Sequence, residues 1–169
     1  MGDNTRCFAR FKGEKDILKC DKEYRLRPAI NSDMDLLFQW VNEEEVRKNS
    51  FIQEEISYNT HCRWFDNAIK DENIYIFILL ENEEPIGQCR LNVDKMGMAE
   101  LDYSIKKTRR GEGLGKLIVE LMIKEISNKP YDNRIKKIVG KVKHSNISSR
   151  KCFEMNGFVE VYDVYELMV

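Results

Sequence analysis

The spacing of hydrophobic and polar positions changes several times along the chain, and each change marks an element. Residues 24–27 form a short strand-like run that stops at Pro28, which has no amide hydrogen to extend a ladder. Ser32-x-x-Asp35 has the form of a capping box, and Leu36, Leu37, Trp40 and Val41 follow at helical spacing. Ser57 is placed to cap a second helix whose inner stripe is His61, Trp64, Phe65 and Ala68. Residues 74–80 are continuously apolar, as in a buried strand, and a polar turn follows at 81–85. Residues 86–93 and 98–105 then read as successive strands. Leu114, Leu117, Ile118, Leu121, Met122 and Ile126 return to the helical period. A strand at 135–142, a helix at 147–155 and one or two closing strands in 158–169 complete the pattern. No internal repeat or low-complexity tract interrupts it. This order predicts an α/β fold with helices on both faces of a central sheet.

A chain of 169 residues supports one substantial core and is too short for two ordinary domains. Residues 1–22 are charged and weakly patterned, so they read as an N-terminal extension to a single domain at 23–169. The 28 basic and 29 acidic residues give a net charge of −1, which argues against general nucleic-acid binding. The five cysteines (Cys7, Cys20, Cys62, Cys89 and Cys152) form no C-x-x-C pair, and the chain has only two histidines, so no metal site is expected. Their odd, scattered arrangement fits reduced thiols, with Cys89 and Cys152 read as small buried hydrophobes. No apolar leader and no run approaching the ~20 residues of a membrane span is present. Arg6 stands where a myristoylation signal beginning Met1-Gly2 would need Ser or Thr. A cytoplasmic location is expected, with no membrane partner.

The chemistry is concentrated in Arg109-Arg110-Gly111-Glu112-Gly113-Leu114-Gly115-Lys116. Three alternate glycines between a strand pattern and a helix pattern allow backbone amides to turn toward an anion, and a helix N-terminus adds partial positive charge. A Walker loop would need Ser or Thr where Leu117 stands, and a dinucleotide fingerprint would need glycine in place of Lys116. A plain strand-to-helix turn would need one glycine rather than three.

With Arg110, Gly113 and Gly115 in the key places, the loop resembles the Arg/Gln-x-x-Gly-x-Gly/Ala motif of the GNAT family of N-acetyltransferases. Asn146-Ile147-Ser148-Ser149-Arg150-Lys151-Cys152-Phe153-Glu154-Met155-Asn156-Gly157-Phe158 resembles the family's second segment, Asn-x-x-Ala-x-x-Leu-Tyr-x-x-x-Gly-Phe. The resemblance spans 24–169. It implies the GNAT fold, a central mixed and mostly antiparallel sheet flanked by helices on both faces. It also implies acetyl transfer from acetyl-CoA to an amine, without a metal. Carried over residue by residue, it gives the pyrophosphate to the amides of Gly111, Glu112, Gly113, Leu114, Gly115 and Lys116, with Arg110 as anchor. Backbone groups at Ser104 and Ile105 and the side chain of Asn146 go to the pantetheine arm. Where many family members have the tyrosine acid, this chain has Phe153; Tyr103, Tyr162, Tyr165 and water remain as alternatives.

The acceptor side is suggested by two polar rows on strands that should be central: Gln88, Arg90 and Asn92, and Glu100, Asp102 and Ser104. A central strand covered on both faces is apolar on both, so such rows call for a cleft. A solvent-exposed sheet face with an Arg90–Glu100 cross-strand pair would also explain them. Glu100 is the first candidate for the general base and Asp102 the second. Residues 37–47, Ile56-Ser57-x-x-x-His61-x-x-Trp64-Phe65 and Gly87-Gln88-Cys89-Arg90 resemble GNAT enzymes that modify UDP-linked 4-amino-4,6-dideoxy sugars. Asn42 and His61 match that subgroup, while Val41 stands where it has arginine. The resemblance implies a nucleotide-sugar amine as acceptor, bound by Asn42, His61, Gln88 and Arg90. Trp40, Trp64 and Phe65 at helical spacing read as core rather than as a ligand platform, and His61 reads equally well as a core residue. A ribosomal-protein-type N-terminal or small-amine acetyltransferase, and a silent acetyl-CoA-binding module, are the alternatives; a homodimer is left open.

Overall fold

The computed structural model describes residues 22–127 and 134–161. Its centre is a five-stranded sheet of order β1-β2-β3-β4-β5. The strands are β1 (Tyr24–Pro28), β2 (Ile74–Glu81), β3 (Glu84–Val93), β4 (Met98–Ile105) and β5 (Lys137–Val139). All neighbours pair antiparallel except β4 and β5, which run parallel. The helices are α1 (Met34–Val41), α2 (Glu44–Asn49), α3 (Tyr58–Ala68), α4 (Leu114–Ser127) and α5 (Ile147–Met155).

β2 is buried from Ile76 to Leu80 because both its faces are covered. On one face Ile76, Ile78 and Leu80 pack with Leu37 and Trp40 of α1 and Phe65 and Ala68 of α3. On the other, Phe77, Leu79, Cys89, Leu91 and Leu101 pack with Leu117, Ile118, Leu121 and Met122 of α4 and Phe153 of α5. Each such large side chain stabilises the fold by about 1.5–3 kcal/mol relative to its exposed state. The sheet-and-helix architecture is the one expected from the sequence, α/β with helices on both faces.

Several local details differ from the sequence reading. Ser32 does not cap α1. A 3-10 turn at Asn31–Asp33 precedes the helix, and the buried Asp33 carboxylate accepts from the Ile30 amide at 2.8 Å and from Arg27 at 2.6 and 2.7 Å. Burial alone would raise the Asp33 pKa, but these donors outweigh it and hold the carboxyl below its ordinary value. The 81–85 turn is tighter than expected, a two-residue hairpin with positive φ at Asn82 (46°) and Glu83 (71°). α2 lacks an apolar stripe, so periodicity gave no sign of it. β5 covers only Lys137–Val139 of the expected 135–142. No strand forms at 158–161, and 162–169, with Tyr162 and Tyr165, lies outside the described residues, as does most of the 1–22 extension.

The short β5 shapes the site. It pairs only with Met98, Ala99 and Glu100, so the edge of β4 from Leu101 to Ile105 has no strand partner on that side among the described residues. That free edge leads into the glycine loop.

Candidate active site

The loop after β4 begins with a 3-10 turn at Lys107–Arg109 and ends where α4 starts at Leu114. Gly111 (φ 83°) and Gly113 (φ 80°) both occupy the left-handed region, where other residues are strained. The first-turn amides of α4 cannot pair within the helix, and they form an anion-binding N-terminus. Gly115 is required for a different reason: a Cβ there would lie 2.9 Å from Cys152 Sγ and 3.4 Å from Tyr103 Oη, so glycine lets α4 approach β4 and α5 closely.

The two arginines of the loop are held differently. Arg109 donates to Glu81 at 2.6 and 2.8 Å and to Glu112 at 2.9 Å twice, so two carboxylates surround it. Glu81 also accepts from Tyr24 Oη at 2.7 Å and pairs with Lys22 at 3.1 Å. Arg109 chiefly, with Tyr24 and Lys22 and against the opposing effect of burial, holds the Glu81 carboxyl at about 2. Arg110 donates through Nε to the Ile105 carbonyl at 2.9 Å and through Nη2 to Glu43 at 2.5 Å. It is therefore anchored to the acceptor half of the molecule rather than extended from the loop.

On the α1–α3 face of the sheet lies a cavity of about 310 Å³. Its floor is the cross-strand pairs Gln88–Ser104 and Arg90–Asp102, and its walls include Trp40, Arg47, His61 and Trp64. Of the two polar rows, Gln88, Arg90, Asp102 and Ser104 line this cleft, while Asn92 and Glu100 do not. Gln88 donates to Ser104 Oγ at 3.3 Å, and Arg90 donates to Asp102 at 3.3 Å. The Arg90 guanidinium lies 5.2 Å from the centre of the Trp64 ring, and its buried Nε–H has no hydrogen-bond partner among the described residues.

Three sequence-selected residues fall elsewhere. Glu100 is opposite Asn92, outside the cavity lining, and pairs with Lys141 at 2.8 Å; Asp102, not Glu100, stands opposite Arg90 and pairs with it. Asn42 is also outside the lining. Its amide donates to the Ile56 carbonyl and accepts from the Ile56 N–H, both at 2.9 Å, pinning the segment between α2 and α3. Asn146 caps α5, accepting from the Ser149 N–H at 3.1 Å.

His61 does line the cavity, although it is only 2% exposed. Nε2 lies 3.0 Å from the Met34 carbonyl, an acceptor only, so that nitrogen carries the proton and Nδ1 is left with a lone pair. Burial lowers the His61 pKa more than the Met34 contact raises it, so the ring is neutral at neutral pH.

The profile of the acetyltransferase (GNAT) domain matches residues 24–159, most of the chain. The chain belongs to the GNAT acetyltransferase family. GNAT enzymes take their acetyl group from acetyl-CoA, and the residues present fit that donor: a free strand edge that leads into an amide nest with positive-φ glycines. No curated protein matches the sequence. A domain from Methanocaldococcus jannaschii DSM 2661 is 25% identical with a TM-score of 0.74, covering 86% of this chain and 94% of that one. Spermidine N-acetyltransferase from Vibrio cholerae, in complex with CoA and spermine, is 18% identical with a TM-score of 0.74, covering 86% of each chain. Aminoglycoside acetyltransferase AAC(6')-Ib, in complex with coenzyme A, is 20% identical with a TM-score of 0.68, covering 81% of this chain and 84% of that one. The latter two show the fold shared with this GNAT domain.

Phe153, expected from the motif resemblance to replace a tyrosine, has its ring buried against Tyr103 and Phe158 at centroid distances of 5.8 and 4.9 Å. Its tip packs so closely on Gly140 that a Cβ there would lie 2.4 Å from Phe153 Cζ. Of the alternative acids, Tyr103 is the one within the described residues; its hydroxyl accepts from Ser149 Oγ at 3.0 Å, and burial above all pushes its pKa up. Sequence reasoning missed Glu43, Arg47 and the role of Arg109. Glu43 and Arg109 find their partners 67 and 28 residues away, and Arg47 matters because the docking of α2 puts it in the cavity lining; no local pattern encodes either.

Proposed function

We propose that the protein acetylates the primary amine of a nucleotide-linked amino sugar. The supporting observation is the charge of the cavity. Its lining contains two guanidinium groups, Arg47 and Arg90, and one carboxylate, Asp102, already paired with Arg90. A polycation such as a polyamine or aminoglycoside would need several unpaired carboxylates there. An amine attached to a phosphate-bearing body suits two arginines beside aromatic rings.

In this reading bound acetyl-CoA supplies a thioester acyl group and a thiol leaving group. The amides of Gly111–Lys116 hold its pyrophosphate, with Arg110 and Lys116 adding charge. The free edge of β4 at Ser104 and Ile105 pairs with the pantetheine amides, and Asn146 offers its Nδ2 hydrogens, since its oxygen is used in the cap. Asp102 takes a proton from the acceptor ammonium through its carboxylate, the role first expected at Glu100. Gln88, Ser104 and the His61 Nδ1 lone pair orient the acceptor's polar groups, and Arg90 faces its anionic part. A silent acetyl-CoA-binding module is the second reading, favoured by Phe153 in place of a tyrosine.

The chain's two tryptophans, Trp40 and Trp64, both line the cavity, so intrinsic fluorescence reports its occupancy. Titration with UDP should change the emission, and Arg90→Ala should weaken that response. Spermidine should leave it unchanged. A response to spermidine and none to UDP would remove the nucleotide-sugar reading.

A further inference from the structure

α2 forms part of the wall of the acceptor cavity through Val46 and Arg47. It is tied at both ends to segments of the cofactor half. Before its first residue, Glu43 pairs with Arg110 of the glycine loop, 67 residues away in sequence. Near its end, the Lys48 carbonyl accepts from Lys143 Nζ at 3.0 Å, 95 residues away. Both members of the first tie are largely shielded, with side-chain exposures of 19% for Glu43 and 29% for Arg110.

The contrast with Arg109 gives this tie its meaning. Arg109 spends four N–H···O contacts on two carboxylates, Glu81 and Glu112, so most of its hydrogen-bonding capacity is taken up within the protein. That arginine is a brace for the loop. Arg110 meets a single carboxylate and one carbonyl, using Nε and one Nη2 hydrogen, so its Nη1 hydrogens have no protein partner among the described residues. A guanidinium fixed on two sides with donors to spare binds an anion with less loss of rotamer freedom than a free side chain.

We infer that Glu43 is a positioning residue for the cofactor site: together with the Ile105 carbonyl it holds Arg110 at the base of the glycine loop, ready to meet the pyrophosphate. The same carboxylate joins the cavity wall to that loop. The inference rests on the cofactor reading of the loop given above, and it assigns a role in cofactor affinity to a residue on the acceptor side. Glu43 touches neither substrate; it acts through Arg110.

The test is calorimetric titration of CoA into the wild type, Glu43→Gln, Arg110→Met and the double variant, at one fixed low ionic strength. Melting curves check that each is folded. Glu43→Gln should weaken CoA binding at least about fivefold, the size of a modest coupling. In the Arg110→Met background the same change should make less than about a twofold difference, because its route of action is gone. Glu43→Asp, which keeps the charge on a shorter arm, should fall between the wild type and Glu43→Gln. Unchanged or tighter CoA binding by Glu43→Gln would overturn the inference. So would an equal loss with and without Arg110, which would make Glu43 a structural residue of α2 only. A folded wild type that did not bind CoA would bring down the cofactor reading itself, and this inference with it.

Discussion

Replacing Glu81 with glutamine removes the negative charge at the centre of the network that braces the cofactor loop. Glu81 accepts two hydrogen bonds from Arg109 and one from Tyr24, and side-chain exposure is 12% for Glu81 and 15% for Arg109. The fall of the carboxyl from 4.5 to about 2 on folding corresponds to roughly 3 kcal/mol. Lys22, also in the network, lies half in solvent, and screening reduces the expected effect to about 1–2 kcal/mol. The sign follows from the depressed pKa: the stabilisation is complete above 4.5 and is lost as pH falls toward about 2. Chemical denaturation at pH 7 should therefore find Glu81→Gln less stable by about 1–2 kcal/mol. The gap between wild type and variant should close as the pH is lowered through that window. Equal stability at pH 7, or a gap that does not narrow in acid, would refute the assignment of Glu81 as the anchor of the loop.

Gly140→Ala should cost about 1–3 kcal/mol by driving a methyl into the Phe153 ring, and Phe153→Leu should recover part of it in a thermal melt. Gly115→Ala places a Cβ 2.9 Å from Cys152 Sγ; it should lower the melting temperature, and Cys152→Ala should restore most of the loss. Asn42→Ala breaks both hydrogen bonds to Ile56 and should destabilise by about 1–3 kcal/mol in denaturant titration. The His61 ring should titrate below 6.5 by NMR because burial opposes its charge. Its contribution to stability is present above 6.5 and lost as pH falls through the folded value; a midpoint at or above 6.5 would contradict the buried, neutral assignment.

The elements that carry strong apolar periodicity were legible in the sequence. The α4 stripe from Leu114 to Ile126, the apolar run of β2 and the Ser57 cap of α3, which accepts from the Thr60 amide, all form as read. The glycine loop was legible because two positive-φ turns and one close approach each leave a glycine in the sequence. Pairing partners were not. Face alternation put Arg90, Glu100 and Asp102 on one side of the sheet, but only the β3–β4 register chooses Asp102 over Glu100 as the partner of Arg90. A motif match also cannot tell a ligand contact from a structural one, since Asn42 closes onto Ile56, and nothing local marks Arg109, which closes onto Glu81. Both are long-range closures set by how the elements dock. The same is true of α2, a short polar helix held in place by Arg110 and Lys143 rather than by an apolar face.

The most direct test of the functional account is mass-spectrometric detection of product after incubating the protein with acetyl-CoA and a mixture of UDP-linked 4-amino sugars, spermidine and N-terminal peptides. The account predicts an acetylated UDP-sugar whose formation is lost in Asp102→Asn and retained in Glu100→Gln. Acetylation of spermidine or peptides with the UDP-sugars untouched would contradict it.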